Sequence, residues 1–399
     1  MASRSTGIGL PAMVALVAFG CGGRATPAPT PLGGVAAVTA GGAHACALLT
    51  GGTARCWGDD AFGELGDGGY LSPEASVTVG LSGITAIAAG GHHTCALLGD
   101  GGISCFGNNS FGALGNGQQT LYELTPASVL GVAAASAIAS TGPSFGDLEA
   151  DEEYSCALLP NGQAACWGDD GDATLGDDGS SIDVSTPVSV RGLTGATELA
   201  LGGGHACALL ADGTAACWGK DLVTSSPTPT AVSGLTGAQA LAAGSLHTCA
   251  LLAGGTVACW GDNAFGQLGT GTASPAAPTT TPAPVPGLAG VGALSAGGDH
   301  TCALLTDGTI QCWGVDGHGE LGDGTETETR AAPTPVAGIA GAVAVSAGVG
   351  FSCALLADGT VRCWGQNDHG QLGNGSTSTA DVLTPVEVLA GPGGDGGSG

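Results

Sequence analysis

The sequence predicts an all-β fold made of seven like units, and three observations carry that reading. A phrase holding two cysteines with nine residues between them, as in Cys302 to Cys312, recurs seven times. The first cysteines of the pairs lie about 51 residues apart on average, in the range of four-stranded propeller blades. Glycine supplies 77 of 399 residues while charged residues make up only 10%, and no run sustains a helical 3.6-residue period over ten or more residues. Many tight turns joining short strands of small residues give such a profile. A disordered chain would be more charged and less apolar than this one, which is 43% apolar.

Taken in order, the chain opens with "MASRSTGIGLPAMVALVAFGC". Arg4 precedes an uncharged, mostly apolar stretch from Gly7 to Phe19, too short for a membrane span, which needs about 20 residues. Residues 1–20 therefore read as an export signal. The Ala18-Phe19-Gly20-Cys21 ending is similar to the site where bacterial lipoproteins are cleaved and acylated on cysteine, which makes Cys21 the expected lipidation site. Residues 21–34, containing "GGRATPAPTPLGG", suit a flexible tether. The repeats occupy 35–391, and 392–399 form a glycine-rich tail.

Each repeat parses into four strand-like runs. In the sixth these are "GALSAGG", "HTCALL", "IQCWG" and later "TPVAGI". Thr306-Asp307-Gly308 reads as a three-residue hairpin loop with glycine in the left-handed position. That loop pairs Leu305 with Thr309 and, three steps on, sets Cys302 opposite Cys312. A narrow, non-hydrogen-bonded pair there would place the two Cα atoms about 4.5 to 5.5 Å apart, within disulfide range. Glycine holds the same loop position in every repeat, at Gly52, Gly101, Gly162, Gly213, Gly255, Gly308 and Gly359.

The expected cross-strand pairs are Cys46 with Cys56, Cys95 with Cys105, Cys156 with Cys166, Cys207 with Cys217, Cys249 with Cys259, Cys302 with Cys312 and Cys353 with Cys363. Buried free thiols filling core gaps are the alternative. The export signal favours disulfides, because they persist in oxidising compartments, and lipidation accounts for the fifteenth cysteine, Cys21. Zinc sites use cysteines two to four residues apart, a spacing not used here.

The phrases flanking the cysteines resemble a known family. "WGDDAFGELGDG" (57–68), "FGNNSFGALGNG" (106–117), "WGDNAFGQLGTG" (260–271), "WGVDGHGELGDG" (313–324) and "WGQNDHGQLGNG" (364–375) follow the second cysteine, and "AAGGHHTCALL" (88–98) and "SAGGDHTCALL" (295–305) contain the first. They are similar to the regulator-of-chromosome-condensation repeat, whose fold is a seven-bladed β-propeller. The resemblance implies a seven-bladed β-propeller here, with loops on a propeller face that bind another protein. Family members include nucleotide-exchange factors, ubiquitin-ligase scaffolds and secreted bacterial inhibitors. The residues of the exchange activity find no match in this chain.

Two repeats depart from the pattern. The third inserts Gly142 to Glu153 before its first cysteine, and the fourth, "CWGKDLVTSSPTPT", lacks the glycine-leucine-glycine loop. Irregular loops on a regular scaffold are where binding tends to reside. The candidate partner-binding loop is therefore Asp147, Glu149, Asp151, Glu152 and Glu153. With Asp169, Asp170, Asp172, Asp177 and Asp178 these carboxylates could also hold calcium, although the spacing is not that of an EF-hand, and a solvated acidic surface is the plainer reading.

Histidines precede five of the first cysteines by two residues, at His44, His93, His205, His247 and His300, with Tyr154 and Phe351 in the other two repeats. A metal-binding ring is possible chemistry. Replacement by Tyr and Phe favours a planar residue buttressing each blade through a backbone hydrogen bond. All six tryptophans follow a second cysteine, with Phe106 in the seventh place, as expected of rings packed between blades. Ser144 stands in a nucleophile-elbow pattern, but outside the strand-to-helix turn that chemistry requires.

A net charge of −27, with one lysine and six arginines, leaves no basic footprint for nucleic acid or anionic lipid. The expected function is thus a non-enzymatic protein-binding propeller, monomeric and without cofactor. It would be held at the bacterial cell envelope, on the outer membrane or cell surface, by the lipid on Cys21, or otherwise secreted. Its partner would be an unidentified protein. A propeller that binds or cleaves envelope polysaccharide is the alternative.

Overall fold

The computed structural model describes residues 30–71, 75–141, 153–179, 183–220, 225–274 and 278–391. They form seven antiparallel sheets of four strands, each sheet built from consecutive strands, as a seven-bladed propeller. The blades span 35–78, 84–128, 137–189, 196–231, 238–284, 291–335 and 342–387. The innermost strands of neighbouring blades touch around the axis.

The hairpin that carries the cysteines has the expected register. In blade six, Cys302 faces Cys312 and Leu304 faces Ile310. The Leu305 amide donates to the Thr309 carbonyl at 2.8 Å, and the Gly308 amide donates back to the Leu305 carbonyl at 2.9 Å. Gly308 takes a φ of 81°, where a side chain is strained. All seven expected pairs are disulfide-bonded, with Cα atoms 4.0–4.1 Å apart, closer than the span expected from strand geometry alone.

The outermost strand differs from expectation. In blade six it is Thr329–Pro335, upstream of the run read from sequence. Val336 and Ile339 instead turn inward and pack beside Trp364 of blade seven. The shift arises where the third strand bends: Cys312 pairs with Thr334 but Gly314 pairs with Arg330, so one residue, Trp313, faces three. Gly314 allows the bend at a φ of 113°. A Cβ there would strike the Asp299 carbonyl and sit 2.7 Å from the His300 Cα.

The ring closes without strand exchange. Ala40 of blade one donates its amide to the Ser346 hydroxyl of blade seven at 2.9 Å. The chain ends then clasp. The Leu32 amide donates to the Val388 carbonyl, and the Ala390 amide to the Thr30 carbonyl. Ser76 of blade one donates its hydroxyl to the Leu389 carbonyl, and the buried Arg55 guanidinium donates to the Ser76 carbonyl. Leu32 is buried. Residues 30–34, expected to belong to the tether, are therefore part of the propeller body. Cys21, the rest of the expected leader and tether, and the 392–399 tail lie outside the described residues.

Candidate functional site

The seams between blades follow one rule, and the candidate site is where the rule fails. Each histidine at the start of a second strand reaches into the next blade. Its Nε2 meets the hydroxyl of the residue just before that blade's first cysteine: His44 meets Thr94, His93 meets Ser155, His205 meets Thr248, His247 meets Thr301 and His300 meets Ser352, at 2.7–2.9 Å. Where the next blade offers alanine instead, the histidine is replaced. Tyr154 faces the blade with Ala206 and donates its hydroxyl to the His205 carbonyl at 2.6 Å. Phe351 faces the blade with Ala45. The buttress is thus a side-chain hydroxyl, and only Tyr154 finds the backbone partner expected from sequence.

Burial lowers the pKa of His44 and His247 to about 3 and that of His300 to about 4, which holds those three rings neutral. A neutral Nε2–H donates to the hydroxyl, which passes its own proton onward. Thr94 donates to the Glu64 carbonyl, Thr301 to that of Gln267 and Ser352 to that of Glu320.

Those carbonyls belong to the glycine-leucine-glycine loops. An Asp or Asn side chain shapes each loop by accepting from the leucine amide five residues later, at 3.0–3.3 Å; Asp60 with Leu65 and Asn367 with Leu372 are examples. The leucine is then driven into the seam: Leu65, Leu114, Leu175, Leu268, Leu321 and Leu372 are all buried. The glycine after it lies on the next blade's aromatic ring; a Cβ on Gly269 would sit 2.8 Å from the Trp313 indole nitrogen. The ring's N–H donates to the carbonyl before the leucine. Trp57, Trp167, Trp218, Trp313 and Trp364 donate to Gln371, Ala113, Thr174, Gln267 and Glu320 at 2.8–2.9 Å.

Blade four breaks the rule. Its third and fourth strands are paired out to Lys220 and Ser225, with only 221–224 between. The position that holds leucine in the other loops is Ser226, already in the outermost strand. Among the described residues, no loop leucine joins the core cluster around Trp260. Trp260 is 8% exposed, against 0% for Trp57, Trp167, Trp313 and Trp364. A cleft of about 290 Å³ opens between blades four and five, lined by Trp218, Ser226, Val232, Thr248, Trp260 and Thr279 among others.

The acidic residues divide. Asp147, Glu149, Asp151 and Glu152 lie outside the described residues, as does Ser144. Glu153 is set apart from any solvated cluster, being only 3% exposed. It accepts from the His92 amide at 2.6 Å and contacts the His92 and His93 rings at 2.9 and 3.2 Å, tying blade three to blade two. Burial alone would raise its pKa, but these hydrogen bonds override it and hold the carboxyl at about 2. Asp169 and Asp170 organise their own loop, accepting from the Gly171 and Leu175 amides, and burial raises both to about 6. Asp178 pairs with Arg191 at 2.6 Å. Among the described residues, no group of three or more His, Cys, Asp or Glu is placed to hold a metal.

Sequence reasoning named the tryptophans and histidines as blade packing but missed the cleft. The signal lay in one comparison: the residue nine places after the second cysteine is leucine in six repeats and Ser226 in the other.

Residues 80–394 match the model of the RCC1-like domain, and 35–64 match that of the regulator of chromosome condensation repeat. The chain is 28% identical over 257 residues to the E3 ubiquitin-protein ligase HERC2 of Homo sapiens, covering 60% of this chain and 5% of that protein. It is 36% identical over 100 residues to the ultraviolet-B receptor UVR8 of Arabidopsis thaliana, covering 24% and 22%. Among solved structures, Prp20p from Saccharomyces cerevisiae superposes with a TM-score of 0.73 at 24% identity, covering 84% of this chain and 85% of that one. Human WBSCR16 does so with 0.71 at 19% identity, covering 83% and 92%. These likenesses in structure establish the fold.

Proposed function

Because this chain belongs to the RCC1-like domain family, we propose that it is a non-enzymatic propeller that binds a protein partner through the loops of blades three and four. The observation that carries the reading is a coincidence of place. The blade that lacks its loop adjoins the blade with the long acidic insertion, so the two departures from the repeat fall in neighbouring blades. The family supports a protein as the ligand: yeast Prp20 was solved with Kap60 bound, and Prp20p has binding properties toward Gsp1p and histones. Those partners are not assigned to this chain. Nor is a ligase activity, since the chain spans only 5% of the length of HERC2.

The site of action we assign is the bacterial cell envelope, with Cys21 lipidated. The export-like leader, the Pro-rich stretch after it and the pairing of every other cysteine support this. Two experiments test the reading. Palmitate labelling of the full-length chain in a Gram-negative host is expected, and is expected to vanish in Cys21→Ser; labelling that persists overturns lipidation at Cys21. Photo-crosslinkers placed at Asp178 and Thr230, and for comparison at Thr325 in blade six, are expected to capture protein on intact cells only at the first two positions. Equal capture at all three overturns the assignment of the binding sector.

A further inference from the structure

We propose that the cleft between blades four and five receives a leucine-glycine segment from the protein partner, seated where this chain's own loops sit at the other seams. The inference rests on the protein-binding reading above and gives its chemistry. At the next two seams, one loop carbonyl accepts two hydrogen bonds at once. Gln267 O takes them from Thr301 Oγ1 at 3.1 Å and Trp313 Nε1 at 2.9 Å. Glu320 O takes them from Ser352 Oγ at 3.1 Å and Trp364 Nε1 at 2.8 Å. Thr248 and Trp260 are the same two groups in blade five. Both line the cleft, and among the described residues no carbonyl meets either one.

Thr248 is 1% exposed and Trp260 8%, so both side chains sit largely inside the seam. His205 Nε2 approaches Thr248 Oγ1 at 2.8 Å, the same contact that at other seams accompanies a hydroxyl donating onward to a loop carbonyl. A ligand carbonyl would give both donors the acceptor that the loop carbonyl supplies at the other seams.

The missing parts define the ligand. It needs one backbone carbonyl to bridge Trp260 Nε1 and Thr248 Oγ1. It needs a branched aliphatic side chain next to that carbonyl, to fill the place of Leu268 and Leu321. It then needs glycine, because the chain lies flat on the indole where any Cβ would collide, as at Gly269 and Gly322. The volume of about 290 Å³ is at the small end of ligand pockets, suited to two or three residues rather than a large cofactor.

The probe is the chain's own loop. A capped peptide of residues 263–271, Asn-Ala-Phe-Gly-Gln-Leu-Gly-Thr-Gly, is titrated into the oxidised protein while the six indole N–H signals are followed by NMR. The Trp260 signal is expected to move and the other five to stay. Replacing the peptide's leucine with aspartate is expected to abolish the shift. Trp260→Phe keeps the ring and removes the N–H, and is expected to weaken binding five- to tenfold. Phe106 already occupies this place in blade two, so the variant retains a side chain the fold accepts.

A second variant replaces 220–225 with residues 262–278, the regular loop of blade five. It is expected to melt higher and to bind no peptide. No shift at millimolar peptide, or binding unchanged by either substitution, overturns the proposal. So does a cross-link from Trp260 to residues 221–224 that the peptide fails to displace, since the chain then fills its own cleft. Capture of a partner at Asp178 and Thr230 that survives these failures would leave the binding sector standing and remove only the cleft.

Discussion

His300 and Ser352 stand in different blades, 52 positions apart, yet they are one structural unit. The ring donates to the hydroxyl, and the hydroxyl donates to the Glu320 carbonyl. Ser352→Ala therefore strands the buried His300 N–H, while Glu320 O keeps its bond from Trp364, and is expected to cost about 1–3 kcal/mol. Adding His300→Phe rebuilds the natural pair of Phe351 and Ala45, so the double variant is expected to regain part of that loss. A double-mutant cycle from urea unfolding measures it, and strictly additive costs would contradict the unit. Trp313→Phe removes a donor to Gln267 O and is expected to cost about 0.5–1.5 kcal/mol. Trp260→Phe removes an N–H that meets no acceptor among the described residues, and is expected to be nearly neutral in the free protein. At this scale the sequence revealed which residues are structural, because Tyr and Phe interchange with histidine. It hid the partner, because the hydroxyl lies one repeat away and reads as an ordinary Thr or Ser.

The cysteine hairpin was legible as an element because its register follows from local rules. A glycine at the third loop position fixes the turn, and the turn fixes which residues face each other. The outermost strand was not legible, because its register follows from a bend opposite Trp313 rather than from its own residues. The loop was half legible: its motif was plain, but its task as a plug in the neighbouring seam appears only when blades are set side by side. Replacing Cys302 and Cys312 together by alanine opens a short closed loop and is expected to cost about 2–3 kcal/mol on the chain-entropy view. Thermal melts of the variant measure this. Alkylation before reduction is expected to leave all fourteen propeller cysteines unlabelled, as seven cystines require.

The whole ring is set to be more stable in mild acid than in mild alkali. Burial raises Glu64 to about 8, Asp60 and Glu320 to about 7, and Asp169, Asp170 and Asp299 to about 6. A group whose folded pKa is raised gives stability that is fully present below its unfolded value and is lost as pH rises through the folded one. These six therefore weaken the fold as pH climbs from about 5 to 8. The buried His44, His247 and His300 act in the opposite sense, losing stability as pH falls from about 6.5 toward 3 or 4. Six carboxyls oppose three imidazoles across the shared range, and a net charge of −27 adds repulsion that acid relieves. Melting temperature is thus expected to rise from pH 8 to about pH 5, then to fall below about pH 4 as the histidines and Glu153 dominate. Glu64 and Glu320 can be isolated as the cause of the upper limb. Gln267 and Gln371 hold the equivalent place in blades five and seven, each closing its loop by accepting from the amide two residues back, as the two glutamates do. Glu64→Gln with Glu320→Gln is therefore expected to fold, to melt higher at pH 8, and to flatten the curve between pH 6 and 8. A wild-type melting temperature that is level or rising over that interval would show that these carboxyls are already ionised in the folded ring.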